Sequence, residues 1–485
     1  MKRWIIWALF AATAHAVGPD YKKPDVATPK NWQTPAPWIS ASPMDHLPKG
    51  NWWIIFNDPE LNQYEDRAME NNQTLKAAIA RLSEARASAR ITAAGYYPEL
   101  DVAPYAMRQR VSGNRPTMGA TYPLRPDTEN TFSIPFILNY ELDLFGRVRR
   151  SVEAANATYR ANAADLENVR LLVSSDLAAD FFQLRELDAE IAVVEKSVKF
   201  QQDGLTLVEH RHEGGAVSGL DVAQQKTVLD SSITQLHLLE QQRAQYEHAV
   251  AMLQGVPAPD FKAPIRALAA EPPPIPLSLP SELLERRPDI AEAERTVASA
   301  NANIGVAKAA LYPSISLLGS GGVESRDITS LLNAPSFFWS LGFASIEPII
   351  AGGRHRAQVD YAKNVYQEDV ANYRESTLTA FQQVEDALAG LNALAAASES
   401  QKRAVDDADK TLELSNARYT GGLVTYLDVI TAQEQVLSNE RLATQILGQR
   451  LVTSVYLVKA LGGGWDSSSI ASVGVKPSLK QALQQ

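Results

Sequence analysis

A strict alternation of apolar and polar side chains begins at Phe132. Large apolar residues occupy every even position to Leu144, and the odd positions include Asn139 and Asp143. A period of two predicts a β-strand with one apolar face. A second segment, Phe337–Phe343, alternates large apolar residues with mostly small ones. The pattern fits an antiparallel sheet on a soluble core as well as strands that face lipid, so both interpretations stay open at this point.

A partner strand precedes each of these segments. Tyr97–Tyr105 and Tyr312–Ser320 both begin with Tyr-Pro, and both follow an alanine-rich helix, Ala77–Ala94 and Ala291–Ala310. Polar stretches with glycine and proline then join the strands of each pair, at residues 111–130 and 321–336. The sequence thus predicts four strands. Because single-chain bacterial barrels use about eight strands or more, four membrane strands predict an oligomer.

Two long spans without proline begin within or at the end of the second strand of each pair, at residues 136–256 and 349–476. An interior proline breaks a helix, so its absence permits very long helices. Each span has a Gly-Gly pair near its middle, Gly214-Gly215 and Gly421-Gly422, where a helix can end in a left-handed residue and reverse. Each span therefore predicts an antiparallel helical hairpin, with a first helix about 100 Å long at roughly 1.5 Å per residue.

The chain repeats this order of segments. Arg-His-Glu-Gly-Gly-Ala-Val-Ser-Gly-Leu-Asp-Val at 211–222 recurs as Arg-Tyr-Thr-Gly-Gly-Leu-Val-Thr-Tyr-Leu-Asp-Val at 418–429. Such a duplication predicts one two-fold architecture in place of several unrelated domains. The predicted divisions are a signal peptide (1–16), an extended N-terminal arm (17–57), a first repeat (58–270, with strands in 97–144 and helices in 147–255), a linker (271–287), a second repeat (288–464, with strands in 312–350 and helices in 353–461) and a C-terminal tail (465–485).

The N-terminus predicts export. Lys2 and Arg3 precede an apolar run, Trp4–Ala12, and Ala14-His15-Ala16 matches a small-x-small cleavage pattern. The run is too short for a membrane-spanning helix. We therefore expect removal of residues 1–16 and a mature chain that starts at Val17.

Composition narrows the possible functions. The net charge of −10 argues against nucleic acid as a partner, and the absence of cysteine excludes disulfides and thiolate metal sites. His210 and His212 lie beside the first Gly-Gly pair, but two histidines without a third ligand make a poor metal site. The sequence has no phosphate-binding loop, zinc-hydrolase helix or nucleophile elbow. We expect no enzyme activity, no cofactor and no metal.

Several motifs together resemble one family. They are Val17-Gly-Pro-Asp-Tyr-Lys-Lys-Pro24, the segment Asn51–Asn62, the Tyr-Pro strand starts, Tyr140–Arg147 and the second Gly-Gly segment, Arg418–Val429. Their order and spacing across residues 17–464 resemble the outer membrane factor (TolC-like) family. More narrowly, they resemble the outer-membrane subunit of tripartite efflux systems driven by resistance-nodulation-division (RND) pumps.

The resemblance implies a fold that is mainly α with a transmembrane β-barrel. In such proteins a homotrimer builds one twelve-stranded barrel in the outer membrane, and the helices continue it as an α-helical tunnel through the periplasm. The tips of the helical hairpins meet a periplasmic adaptor (membrane fusion protein), which connects them to an inner-membrane RND-type pump. The implied function is a passive exit duct for small toxic compounds.

The resemblance also implies roles for residues at the tips. Asp428 would contribute to a ring of carboxylates at the periplasmic aperture, with Asp221 as its counterpart in the first repeat. Arg418 and Tyr419 would brace the closed tip through hydrogen bonds. The alternatives are a first-turn position favoured by the helix macrodipole for both acids, and ordinary helix packing for Arg418 and Tyr419. Adaptor docking would use the two turns and the exposed residues beside them: Gly214, Gly215, Val217, Gly421, Gly422 and Val424.

Two positions depart from the family pattern. Thr431 stands where members often carry a second acid, and His15 stands where lipoprotein members carry cysteine. We therefore expect a single carboxylate ring and no acyl anchor, so that the apolar strand faces alone would hold the protein in outer-membrane lipid.

Two other functions fit a similar architecture. One is the outer-membrane exit duct of a type I protein secretion system, which would differ in its partner. The other is a non-conducting coiled-coil trimer that spaces an envelope assembly in the periplasm. The alternating strands favour a duct, because a spacer needs no polar strand face to line a lumen. The exported compound is not predicted by any residue of the chain.

Overall fold

The computed structural model describes residues 16–29, 32, 51–110, 112, 128–266, 268, 271–273, 275 and 287–463. The predicted signal peptide, apart from Ala16, and the predicted C-terminal tail lie outside these residues. So do much of the predicted arm and most of the two segments 111–130 and 271–287. Within the described residues the fold is mainly α with one antiparallel sheet, so the predicted mainly helical class is confirmed.

Two helical hairpins dominate the molecule. The helices are α1 Pro59–Asn71, α2 Gln73–Ala94, α3 Arg147–Glu213, α4 Gly219–Leu253, α5 Pro288–Ala309, α6 Arg354–Thr420 and α7 Tyr426–Ala460. Helices α3 and α6 have 67 residues each, and their hairpin partners α4 and α7 have 35 each. At roughly 1.5 Å per residue, α3 and α6 are about 100 Å long. None of the helices in the described ranges is both long and apolar enough to span a membrane.

The sheet joins the two halves of the chain. Its strands are β1 Glu99–Val102, β2 Tyr105–Arg110, β3 Thr128–Leu142, β4 Ser314–Ser325 and β5 Phe337–Ile346. The order is β1-β3-β4-β5, all pairs are antiparallel, and β2 also pairs with β3. Strands β3 and β4 come from different halves and lie side by side, with Phe136 opposite Gly321.

The strands differ from the sequence prediction at several places: β2 continues to Arg110, β3 begins at Thr128 inside a predicted joining stretch, and two further differences have a clear physical cause. The first predicted strand is divided into β1 and β2, because Pro104 has no N–H to donate; the N–H of Ala103 still bonds the carbonyl of Pro135 at 3.1 Å. Strand β4 extends beyond its predicted end and includes Gly322, which we expected in a loop. A Cβ there would lie 2.1 Å from the carbonyl oxygen of Ile134, so glycine permits the close approach of β4 to β3.

The predicted extended arm is partly helical. Trp52–Phe56 forms a 3₁₀-helix whose two tryptophans and Phe56 are buried, and the Trp52 indole N–H donates to the Ser174 hydroxyl at 3.0 Å. Asp58 then caps α1, which has proline at its first position. Asp-Pro is a helix-start signal, so this element could have been predicted from the sequence.

Different helices surround α3 along its length. On the side of the sheet α3 packs against α2 and α5, and α5 packs against α6; toward the hairpin tips α3 packs against α4 and α7. The largest apolar core lies between these two regions and includes Phe181 and Phe182 of α3 and Leu451 of α7. The long helices therefore have a fixed middle, while the tips depend on their own contacts.

A buried ion network links three helices next to this core. Arg185 of α3 donates to Asp188 at 2.5 Å and to Glu60 of α1 at 2.8 Å. Arg243 of α4 donates to the other oxygen of Asp188 at 2.6 Å. Because an unpaired buried charge is strongly unfavourable, loss of one member would destabilise the whole junction.

Candidate functional site at the hairpin tips

The first hairpin reverses at Gly214 and Gly215. The N–H of Gly214 donates to the carbonyl of His210 at 3.1 Å, and Gly215 has φ of +72°, a left-handed conformation. A Cβ on Gly215 would meet no atom within 4 Å. Backbone conformation, and not lack of space, therefore requires glycine at this exposed turn.

The second hairpin reverses in the same way at Gly421 and Gly422. Gly422 has φ of +71°, and the N–H of Leu423 donates to the carbonyl of Arg418 at 2.9 Å. A Cβ on Gly422 would again meet nothing within 4 Å. The Arg418 side chain is exposed, so its observed role in the turn is through its backbone carbonyl.

Both candidate acids close a capping box. The Asp221 carboxylate accepts from the N–H and hydroxyl of Ser218 at 2.9 and 2.8 Å. The Asp428 carboxylate accepts from the N–H and hydroxyl of Thr425 at 3.1 and 2.8 Å. At both tips the acid therefore stabilises the start of the following helix as a first-turn carboxylate. The two acids differ in exposure, because Asp428 is exposed and Asp221 is half-buried.

Tyr419 packs between the two tips. Its ring centroid lies 5.0 Å from that of Tyr426, and the guanidinium carbon of Arg211, from the first hairpin, lies 4.8 Å from the Tyr419 centroid. The buried Tyr419 hydroxyl has no hydrogen-bond partner among the described residues. In this conformation Tyr419 is connected to the first tip by the cation–π contact with Arg211, where we expected a hydrogen bond, and its ring contact with Tyr426 lies within the second tip.

The two valines of the predicted docking surface face inward. Val217 and Val424 are half-buried and pack against an apolar cluster at the tips. Burial of apolar area explains the inward position, because each tip alone has little core of its own. Leucines that the prediction did not single out are exposed instead, with Leu423 at 72% and Leu220 nearly as high. The tip cluster consists of Val208, Tyr419, Tyr426, Val429 and Ile430.

Sequence reasoning also missed a contact between Gly204 of α3 and Tyr426 of α7. Tyr426 is 4% exposed, and a Cβ on Gly204 would lie 2.4 Å from its hydroxyl oxygen. Burial raises the pKa of the Tyr426 hydroxyl. A lone glycine inside a long helix is a detectable signal, because glycine weakens a helix unless packing requires it.

A groove of about 620 Å³ runs between α6 and α7 beside Asp428. Its lining is mixed: Ala404, Leu427 and other apolar residues alternate with polar ones that include Asp407, Thr411 and Gln435. The Thr431 hydroxyl donates to the carbonyl of Leu427 at 2.9 Å, so the position of the missing second acid carries no charge. Asp428 and Asp407 therefore make this groove locally negative.

The histidines of the first tip serve local structure. The Nδ1 of His212 lies 2.9 Å from the carbonyl oxygen of Val217, across the turn. Across the ranges that the structure describes, no three side chains of the metal-binding types are grouped closely enough to hold an ion.

The chain as a whole is similar to known outer-membrane proteins. The family model "Outer membrane efflux protein" matches residues 65–256 and 279–463. The pyoverdine export outer membrane protein OpmQ of Pseudomonas aeruginosa is 33% identical over 443 residues, covering 91% of this chain and 92% of OpmQ. The toluene efflux pump outer membrane protein TtgI of Pseudomonas putida is 32% identical over 472 residues, covering 96% of this chain and 98% of TtgI.

The fold agrees with these similarities. The structure of the outer-membrane channel OprN superposes with a TM-score of 0.86 at 27% identity, covering 93% of this chain and 99% of OprN. A sheet with paired helical hairpins of this length defines the TolC-like outer-membrane channels. The chain belongs to the outer membrane efflux protein family. Its location is thus the bacterial outer membrane, with the helical part in the periplasm.

Proposed function

We propose that this protein is the outer-membrane duct of a tripartite efflux pump and works as a homotrimer. The sheet carries the argument: it is at most four strands wide, and its outer strands, β1 with β2 on one side and β5 on the other, have no further partner in the described chain. An open edge is unfavourable in lipid. Pairing of β5 with the first strands of the next copy would close one barrel from three chains.

Side-chain exposure on β5 supports a lipid-facing barrel. Trp339 is 73% exposed, and Leu341 and Phe343, which share its face, are exposed as well. Ser340 and Gly342 alternate with them on the other face. An apolar outer face with small or polar inner residues is the pattern of transmembrane barrels. It also favours a duct over a non-conducting periplasmic spacer.

The direction of transport follows from the relatives. OpmQ and TtgI are named for pyoverdine export and toluene efflux, which are unlike compounds. A permissive duct would accept small toxic compounds from an adaptor and an inner-membrane RND-type pump. The exit duct of a type I protein secretion system is the second candidate and would be recognised by its partner.

Asp428 is proposed as the charged residue of the periplasmic aperture. It is exposed, it is fixed in orientation by Thr425, and it lines the groove between α6 and α7 together with Asp407. Three copies around the trimer axis would form a negative constriction, which would select cations. Asp221 is half-buried in the matching capping box and contributes less. The exposed turns, at Gly214–Gly215 and Gly421–Gly422, are proposed as the surface for adaptor docking.

The test is single-channel conductance in planar bilayers. Asp428→Ala removes both the charge and the acceptor half of the capping box, whereas Asp428→Asn removes the charge and keeps an acceptor for Thr425. We expect weaker block by multivalent cations in both variants, and higher conductance in Asp428→Ala because loss of the reciprocal bond of the capping box loosens the start of α7.

Asp221→Ala is the matched control, since it removes the same half of the capping box from the other tip. If both Asp428 variants conduct and are blocked like the wild type, Asp428 is not at the aperture. If inserted wild-type trimers carry no current, the structural alternative replaces the duct.

A further inference from the structure

Tyr426 occupies a hole that exists only because residue 204 is glycine. Tyr426 is the first residue of α7, and its ring lies over α3 of the other hairpin. A Cβ built on Gly204 would lie 2.4 Å from the tyrosine hydroxyl oxygen and 3.8 Å from Cζ. Any side chain at position 204 would therefore clash with the Tyr426 hydroxyl in its present position.

The ring is held firmly in that hole. Val208 of α3 and Val429 and Ile430 of α7 belong to the same buried cluster, and Tyr419 contacts the ring from α6. A buried ring cannot swing aside without breaking these contacts. A methyl group at position 204 would therefore displace the first turn of α7 and not only the tip of one side chain.

The same turn of α7 carries Asp428. Thr425, directly before Tyr426, is the N-cap whose hydroxyl donates to the Asp428 carboxylate at 2.8 Å. The tyrosine fixes this turn to α3, and the cap fixes the carboxylate to the turn. The position of Asp428 relative to the first hairpin therefore depends on the contact between Tyr426 and Gly204.

We propose that Tyr426, seated on Gly204, is the positioning residue that holds the second hairpin tip against the first and sets where Asp428 lies. The proposal rests on the proposed function, because it assigns the contact that must separate when the aperture widens. A second contact between the tips, Arg211 over Tyr419, lies nearer the end of the hairpin, and Arg211 is only half-buried.

Gly204→Ala tests the contact between Tyr426 and Gly204, and Gly390→Ala is its matched control. Gly390 lies inside α6, and a Cβ there would meet only the Thr453 methyl, at 3.4 Å. Both substitutions raise helix propensity equally, so a general effect on helix stability appears in both. Tyr426→Ala removes the other partner of this contact, the tyrosine ring.

The readout is the separation of the two tips within one chain. The protein has no cysteine, so Leu220→Cys and Leu423→Cys, both exposed, can be spin-labelled without background. Labelled chains are diluted with unlabelled ones, so that each measured distance belongs to a single chain. Single-channel conductance of the same variants gives the functional readout.

We expect Gly204→Ala and Tyr426→Ala to lengthen the tip-to-tip distance and to raise conductance, while Gly390→Ala matches the wild type. Combining Gly204→Ala with Tyr426→Phe should restore the short distance, because the clashing oxygen is gone and Cζ is an ordinary contact away. A merely structural role for Gly204 would not be rescued by removal of one oxygen.

The proposed positioning role of Tyr426 is wrong if the tip-to-tip distance is unchanged in Gly204→Ala, or if Tyr426→Phe does not restore it. Failure of the proposed duct function gives a different result. In that case the wild type carries no current, while the tip-to-tip distances of the variants still test the contact between Tyr426 and Gly204.

Discussion

Asp221 and Asp428 show how one residue type acquires different roles at two equivalent places. Both accept the same pair of hydrogen bonds from the N-cap residue of the following helix. Only Asp428 is exposed, whereas Asp221 is half-buried. The capping role follows from local sequence, whereas the availability of the charge follows from packing.

Glu65 is an unusual residue of the core. It is fully buried on α1, and neither carboxyl oxygen has a hydrogen-bond partner among the described residues. Burial, with a smaller contribution from Asp66, raises the pKa of Glu65 well above its usual range. The carboxyl is therefore protonated in the folded protein at pH values where the unfolded chain has released the proton.

Glu65 should make the folded protein less stable as pH rises. Because its pKa is higher in the folded state, its contribution is greatest below the unfolded pKa. That contribution declines as pH rises toward the folded pKa, by up to about 1.4 kcal/mol per pH unit. We expect Glu65→Gln, which stays neutral, to remove this decline. The measurement is the unfolding midpoint of the helical circular dichroism signal between pH 5 and 8.

The control for Glu65 is Glu70→Gln, an exposed position of the same helix. It should keep the pH dependence of the wild type. If Glu65→Gln loses stability with pH in parallel with the wild type, another group is responsible for the decline.

At the scale of elements, the two hairpins are equal in length and in the form of their turns. Each has a helix of 67 residues, a turn with glycine at φ near +70°, and a helix of 35 residues. Each turn is open to solvent, so the glycines do not contact the core. The ends of the hairpins can therefore serve a partner without carrying the fold.

Substitution at Gly422 should separate folding from docking. Gly422→Ala introduces the strain of positive φ, and Gly422→Arg introduces the same strain together with bulk and charge. We expect Gly422→Arg to reduce efflux in cells much more than Gly422→Ala, with trimers formed in both. Efflux is measured with a fluorescent substrate, and trimers by native electrophoresis. Loss of trimers in Gly422→Arg would mean that the turn is required for assembly.

At the scale of the whole molecule, one sheet has two different environments on its two faces. Phe337, Trp339, Leu341 and Phe343 are exposed on one face of β5, and Ser340, Gly342 and Ala344 lie on the other between Phe338 and Ile346. A single chain leaves this apolar face in water, which a soluble protein avoids. Insertion in lipid and closure with further copies would remove the unfavourable exposure together.

The two faces can be compared at neighbouring positions. Leu341→Arg places a charge on the apolar face, where it should cost about 2–4 kcal/mol near the middle of the bilayer. Ser340→Arg places the same charge on the opposite face. We expect Leu341→Arg to reduce membrane-inserted trimers and Ser340→Arg to insert normally and alter conductance. Equal insertion of both variants in a membrane-extraction assay would contradict the assignment of the faces.

The sequence predicted the candidate site in part. The two Gly-Gly turns, both acids and Tyr419 lie at the tips, because each is tied to a local signal at the hairpin. Val217 and Val424 were expected on the surface, yet they turn inward. Their position depends on the other hairpin, which lies roughly two hundred residues away in sequence and leaves no local trace beside them.

What the sequence by itself determined is what short-range physics controls. The absence of proline permits the long helices, glycine permits the reversals, and a period of two produces the strands. The tertiary structure alone decided that Tyr426 rests on Gly204, that Gly322 belongs to a strand and that Trp52 enters the core. These outcomes depend on close contact between segments distant in sequence, and only the packed chain brings those segments together.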